Sequence, residues 1–214
     1  MRYRHLISLA FSTALLLSSG CASVQYQALE KVGIHKRDIL VDRVKDANLA
    51  QSETKSQFES AYEEFKALVG SGNKDLEAQY KTLEKSVSQS EKRANELDER
   101  IGAVERVAND LFKEWEEELA QYSSDTLRQS SATKLELTRS RYHKLRKQMR
   151  SAQARVTPVL EVLQDNTLFL KHNLNASAIS GLNTEVAKIE ARIGTLITEM
   201  ERAIAEADAF VQAS

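Results

Sequence analysis

The stretch that decides the fold is residues 182–211, LNTEVAKIEARIGTLITEMERAIAEADAFV. Its apolar residues recur at alternating steps of four and three, which average the 3.5-residue period of a left-handed coiled coil. The series is apolar at every position: Leu182, Val186, Ile189, Ile193, Leu196, Met200, Ala203, Ala207 and Phe210. A second stripe widens this face, so we expect the helix either to lie centrally among other helices or to form an interface. That stripe is Ile197, Ile204 and Val211.

The same stepping occurs in three earlier segments, 40–68, 76–118 and 135–170. Most of the positions that it marks are apolar, and turn-forming residues separate the four segments. Short connections make neighbouring helices antiparallel. The sequence therefore predicts an all-α fold, an elongated antiparallel helical bundle or coiled coil of about four long helices.

Two details of this pattern concern its interruptions. The turn before the last helix spans 173–181, and Pro158 lies inside the third segment. Because proline removes one helical hydrogen bond and crowds the preceding turn, we expect the third helix either to kink at Pro158 or to restart there with Thr157 as its cap.

Composition excludes several classes of protein. The 214 residues carry 30 Lys+Arg against 31 Asp+Glu, so a net charge of −1 gives no reason to expect a nucleic-acid partner. With 42% apolar and 29% charged residues, the chain is too apolar for a disordered protein and too charged for a polytopic membrane protein. Only 7 Gly and 1 Pro are present, too few for a turn-rich β fold.

The N-terminus is typical of a secretory signal peptide. Arg2 and Arg4 precede an apolar run over 6–17, which is followed by small residues and by Cys21, the only cysteine. The run is shorter than the roughly 20 residues that span a bilayer as a helix. We therefore predict a signal peptide over 1–20, a lipidated Cys21 with a short stalk over 21–34, and a helical coiled-coil rod over 35–214.

This junction resembles the lipobox of bacterial lipoproteins, although Ser18 stands where the lipobox usually has Leu. The resemblance implies that the Cys21 thiol is acylated and anchors the chain to a membrane. It also implies, because Ala22 rather than Asp follows Cys21, delivery to the periplasmic face of the outer membrane.

Polar residues form a first candidate interaction site at the start of the rod: His35, Lys36, Arg37 and Asp38. Close to the lipid anchor, they are placed to contact headgroups or a partner. The alternative is an ordinary solvated helix start with a capping Asp38. We expect no metal here, because one imidazole without a second at ligand spacing is not a metal site.

Basic residues dominate 134–155, which contains eight Lys or Arg and a single acid, Glu136. Segment 96–118 has the opposite bias, with nine acids and three bases. A turn near residue 124 places these segments side by side and antiparallel. We therefore expect complementary charge pairs across the helix interface rather than an anion-binding face.

A second candidate interaction site is Lys171, His172 and Asn173, at the end of the third apolar segment. The alternative is a capped helix end whose Leu168 and Phe169 plug the bundle.

Motifs for catalysis, phosphate binding and metal binding are absent from the sequence, including G-x-S-x-G, the P-loop, H-E-x-x-H and C-x-x-C. We expect no cofactor and no enzymatic activity. The favoured function is that of a membrane-tethered structural or adaptor coiled coil with a protein partner or self-association. The alternative is a small-ligand carrier or enzyme with a polar site near His35, Arg37 and Asp38 or near His172.

Several short stretches resemble a known family. They are 30–38 (EKVGIHKRD), 111–115 (LFKEW), 158–160 (PVL), 168–175 (LFLKHNLN) and 205–210 (AEADAF). Together they are similar to the proteobacterial lipoprotein family catalogued as domain of unknown function 2959, over essentially the whole chain after Cys21. The resemblance implies a lipoprotein but no reaction, and it supplies no catalytic residues.

Overall fold

A computed structural model describes residues 35–71 and 75–214. This part of the chain contains helices and no strand, which confirms the all-α prediction. The helices are α1 (Lys36–Gly70), α2 (Leu76–Leu119), α3 (Asp125–His172), α4 (Ala176–Gly181) and α5 (Asn183–Gln212). The predicted signal peptide and Cys21 lie outside the described residues.

The four long helices form an up-down-up-down bundle, in which α1 and α3 are each flanked by α2 and α5. On each neighbouring pair of helices, residue numbers rise on one helix as they fall on the other, so all four pairs are antiparallel. Between α1 and α2 the contacts are Asp46–Arg100 and Glu53–Arg93, and between α1 and α5 they are Asn48–Asp208 and Lys55–Glu201. Between α2 and α3 they are Glu105–Arg146 and Glu116–Arg139, and between α3 and α5 they are Lys144–Glu206 and Ser151–Glu199.

The apolar series of the sequence forms the core. Every position of the series over 40–68 is buried, and so is almost every position over 135–170 and 182–210. The second stripe of α5, at Ile197, Ile204 and Val211, is half-buried, so these side chains flank the core instead of lying at its centre. The largest fully buried side chains include Phe58, Phe65, Leu97, Ile101, Met149 and Leu163.

Side-chain size sets how closely the helices approach. The backbones come closest between α2 and α3 and between α3 and α5. Small buried residues such as Ala152 and Ala203 permit close packing between α3 and α5.

Polar side chains are also buried where α1 meets α2. The Thr54 hydroxyl donates to the Ala50 carbonyl at 2.7 Å, and Gln57 Nε2 donates to Ser86 Oγ at 3.0 Å. Gln51 is fully buried, and its amide has no hydrogen-bond partner among the described residues. We call the apolar series that each helix buries against its neighbours its seam. A polar residue such as Gln51 in a seam lowers stability but favours one register of packing.

Pro158 does not interrupt α3, so the predicted helix restart at Thr157 is wrong. Pro158 lies on the exposed side of the helix, and so does Ala154, whose carbonyl loses its helical donor. A carbonyl on the exposed side of a helix is accessible to solvent, which makes proline tolerable here. The Pro158 carbonyl in turn accepts a hydrogen bond from Arg192 Nη1 at 3.0 Å.

The turn predicted over 173–181 contains the short helix α4. Asn175 caps it, because its Oδ1 accepts from the Ala178 N–H at 3.1 Å. Ile179 and Leu182 are buried and hold this connection against the end of the bundle.

Leu97→Asp should lower the free energy of unfolding by about 4 kcal/mol, because Leu97 is fully buried and the change leaves an unpaired charge in the core. Urea denaturation followed by circular dichroism measures this loss. The control is Glu99→Lys on the exposed side of the same helix, which should change stability by less than about 0.5 kcal/mol. Equal effects of the two substitutions would contradict the assignment of the seam.

Candidate functional site

The basic segment of α3 faces the acidic segment of α2, as the sequence predicts. Glu105 is at the centre of the contact, and it accepts two hydrogen bonds from Arg150, at 2.6 and 3.0 Å, and one from Arg146 at 2.8 Å. Arg150 also donates to Asp98 at 2.8 Å, and Arg139 donates to Glu116 at 2.7 Å. Three of the eight basic residues of this segment therefore hold α3 against acidic residues of α2.

Hydrogen bonds from Arg150, and secondarily from Arg146, lower the pKa of Glu105 to about 2 despite its partial burial. The same contact raises the pKa of Arg150. The carboxylate is ionised at any physiological pH, which suits a structural ion pair and not an acid or base that exchanges protons.

The first candidate site is placed at the beginning of α1. His35 is exposed and directly precedes the helix, Lys36 is its first residue, and Asp38 is exposed in its first turn. The Arg37 guanidinium lies over the ring of Trp115 on α2, 5.5 Å from the ring centre, as a cation–π pair.

The second candidate site forms the end of α3. Asn173 is the C-cap; its N–H donates to the Leu170 carbonyl at 3.2 Å and its Nδ2 to the Phe169 carbonyl at 3.0 Å. Lys171 and His172 are exposed in the last turn, where positive charge suits the helix dipole.

The alternative of a capped helix end is right about the cap, but Leu168 and Phe169 do not plug the bundle: they are 60% and 44% exposed. Leu170 fills the core at this level instead, because it is fully buried. The result is a pair of adjacent large apolar side chains in water beside the capped helix end.

The two candidate sites do not converge. Arg37 and Asp38 lie at the beginning of α1, whereas Lys171 and His172 lie at the end of α3, which runs parallel to α1 and so ends at the opposite end of the bundle. Within residues 35–71 and 75–214, no group of His, Cys, Asp and Glu is arranged to hold a metal ion. No helix in the same ranges is long and apolar enough to cross a membrane.

Sequence reasoning missed a groove at the end of the bundle where α1 begins. This end groove has a volume of about 330 Å³, and α1, α2, α3 and α5 all contribute to it. Its apolar lining includes Leu40, Leu111, Leu137 and Phe210, and three cations border it, Arg37, Lys134 and Arg141. The signal in the sequence was Leu137, an apolar residue outside the seam between Lys134 and Arg141.

The groove exists because the helices end at different levels. Arg141 Nη1 donates to the Ala213 carbonyl at 3.2 Å, so α5 ends beside Arg141. α3 begins at Asp125 and therefore extends about 24 Å further at 1.5 Å per residue. Together with the end of α2 it forms a projecting hairpin, fastened by a hydrogen bond of 2.8 Å from Trp115 Nε1 to Ser131 Oγ.

A family model with the description "Protein of unknown function (DUF2959)" matches residues 25–214. The match confirms the family resemblance and includes every helix of the bundle. No curated protein and no solved structure is similar enough to this chain to be matched.

Glu105 gives stability a specific dependence on pH. Its pKa is about 2 in the folded protein against an ordinary 4.5. Its contribution to the stability of the folded state is therefore complete above pH 4.5 and disappears as the pH falls to about 2. We expect the free energy of unfolding of wild type to exceed that of Glu105→Gln by about 2 kcal/mol at pH 7, and this difference to shrink towards pH 2. Urea titrations between pH 7 and 2 measure it.

The control for this experiment is Glu99→Gln, at an exposed position of the same helix. Its difference from wild type should stay near zero throughout the range. A difference between wild type and Glu105→Gln that does not change with pH would contradict the assigned role of the ion pair.

Proposed function

The chain belongs to the family of proteins of unknown function DUF2959, and we propose that it is a lipoprotein with a structural or adaptor role. In this proposal an acylated Cys21 anchors it to the periplasmic face of the outer membrane, and its helical bundle binds a protein partner or a second copy. Binding, and not catalysis, is its activity.

The observation that carries this proposal is the separation of two surfaces by the length of the bundle. The chain arrives from Cys21 at the start of α1, and α1 is 35 residues long, or about 52 Å. Leu168 and Phe169 are at the opposite end. The exposed apolar pair is therefore separated by about the length of α1 from the first residues of the bundle, and a partner can reach it there.

The surface around Leu168 has the character of a small binding hot spot. Two adjacent large apolar side chains stand in water, and Lys171 and His172 supply a polar rim on the same helix end. Aromatic and aliphatic anchors surrounded by polar groups carry most of the energy of typical protein interfaces. The four-helix core supports this surface rigidly, because α3 is one unbroken helix.

Cys21→Ser should abolish lipid attachment and leave an unprocessed or soluble form, because that thiol is the only one in the sequence. Mass spectrometry of the wild type should show diacylglycerol on Cys21, and fractionation should place it with the outer membrane. The control, Ser19→Ala, keeps the cysteine and should fractionate like wild type. An unmodified Cys21 in the mature protein would contradict the anchor.

The partner surface can be tested with a photo-crosslinking amino acid at Phe169 in the cell envelope. We expect one discrete crosslinked product, which should disappear when Leu168→Asp is added, because the substitution makes the apolar surface charged. The matched control is the same amino acid at Tyr122, an aromatic position that is 39% exposed at the other end of the bundle. The same product from both positions, or none from Phe169, would contradict the proposed surface.

A further inference from the structure

We propose that the end groove binds one fatty-acid molecule as a free monomer, with its carboxylate on the bordering cations and its alkyl chain on the apolar lining. The proposal concerns a ligand site distinct from the partner surface at Leu168, and it does not depend on the lipid anchor. It is argued from the apolar lining, the charges and the shape of the groove.

The lining brings together apolar side chains from four helices. Leu40 and Phe210 are almost completely buried and form its floor, as the last layer of the core. Leu137 stands on the wall above them and is 54% exposed. A bound alkyl chain would remove this leucine from water, which is a favourable change.

The bordering cations lack the carboxylate partners that their neighbours have. On α3, Arg139 and Arg150 each bind acidic side chains of α2. Among the described residues, in contrast, Lys134 and Arg141 form no ion pair with an acidic side chain. Arg37 forms none either within that part of the chain, although it stacks on Trp115. Positive charge beside an apolar recess is complementary to an anionic head on an alkyl chain.

The shape favours a single molecule over a membrane surface or a folded partner. At about 330 Å³ the groove is at the lower end of the range for small-molecule sites. The hairpin of α2 and α3 projects beyond the groove, so a flat bilayer meets the hairpin before it meets Leu40 or Phe210. Among the described residues, α1 and α5 stop short of the hairpin, so a monomeric fatty acid can enter the groove from that side.

Trp115 makes the proposal directly measurable. It is the only tryptophan in the sequence, and its ring contacts Arg37 at the border of the groove. Ligand binding to Arg37 changes the surroundings of the ring and hence its fluorescence. Calorimetry provides a second readout that does not depend on this residue.

The experiment titrates dodecanoate, below its micelle concentration, into the purified protein with Cys21→Ser, so that no acyl group of its own competes. We expect saturable binding, weaker binding of dodecanol and none of dodecylammonium. Lys134→Gln should weaken dodecanoate binding about tenfold, since it removes a charge-assisted hydrogen bond. Leu137→Gln should weaken it about fivefold.

Two controls on the same helix match these variants. Lys147→Gln removes an exposed lysine about 20 Å from Lys134, and Leu127→Gln removes an exposed leucine that does not line the groove. Both should bind dodecanoate like wild type, and all four variants should keep the wild-type circular dichroism.

Three results would overturn the proposal. They are no saturable binding of dodecanoate by either readout, equal binding of dodecylammonium, and equal losses in the control variants. Binding to phosphatidylglycerol vesicles without any binding of monomeric dodecanoate would also overturn it and would identify a membrane surface instead.

Discussion

Burial of one continuous apolar stripe on each of four long helices is the constraint on which the rest of the structure depends. Apolar stripes with a period of 3.5 residues can all be buried against each other only when the helices lie nearly side by side. Leu97, Met149 and Leu196 are completely buried in this way, each from a different helix. Long helices with few turns then leave almost no internal space that is not filled by the seam.

Because such a core has little internal space, we expect binding sites on the surface of the bundle and at its ends. Several charges of α2 and α3 hold the two helices together, as the hydrogen bonds of Glu105 show. The two surfaces that we propose for binding are the exposed Leu168–Phe169 pair at one end and the end groove at the other. The two features are separated by roughly the length of α1, so one bundle can present two independent surfaces.

Unequal helix lengths create the second of these features. α2 and α3 have 44 and 48 residues, whereas α1 and α5 have 35 and 30. If all four ended together, the last core layer would be covered on every side. Because α1 and α5 do not extend as far as α2 and α3 at this end, Leu40 and Phe210 become the floor of a groove with Leu137 above it.

The sequence by itself determined the periodic core, the antiparallel order of the long helices and the pairing of acidic α2 with basic α3. These follow from local spacing, short connections and complementary charge, all of which can be read from the order of the residues. Tertiary structure alone decided that Leu168 and Phe169 point into water, that Arg37 lies on Trp115, and that Leu40, Leu137 and Phe210 meet in one groove. The residues of the Arg37–Trp115 contact and of the groove are far apart in the chain. The level at which each helix ends relative to its neighbours depends on the packing of all four helices together.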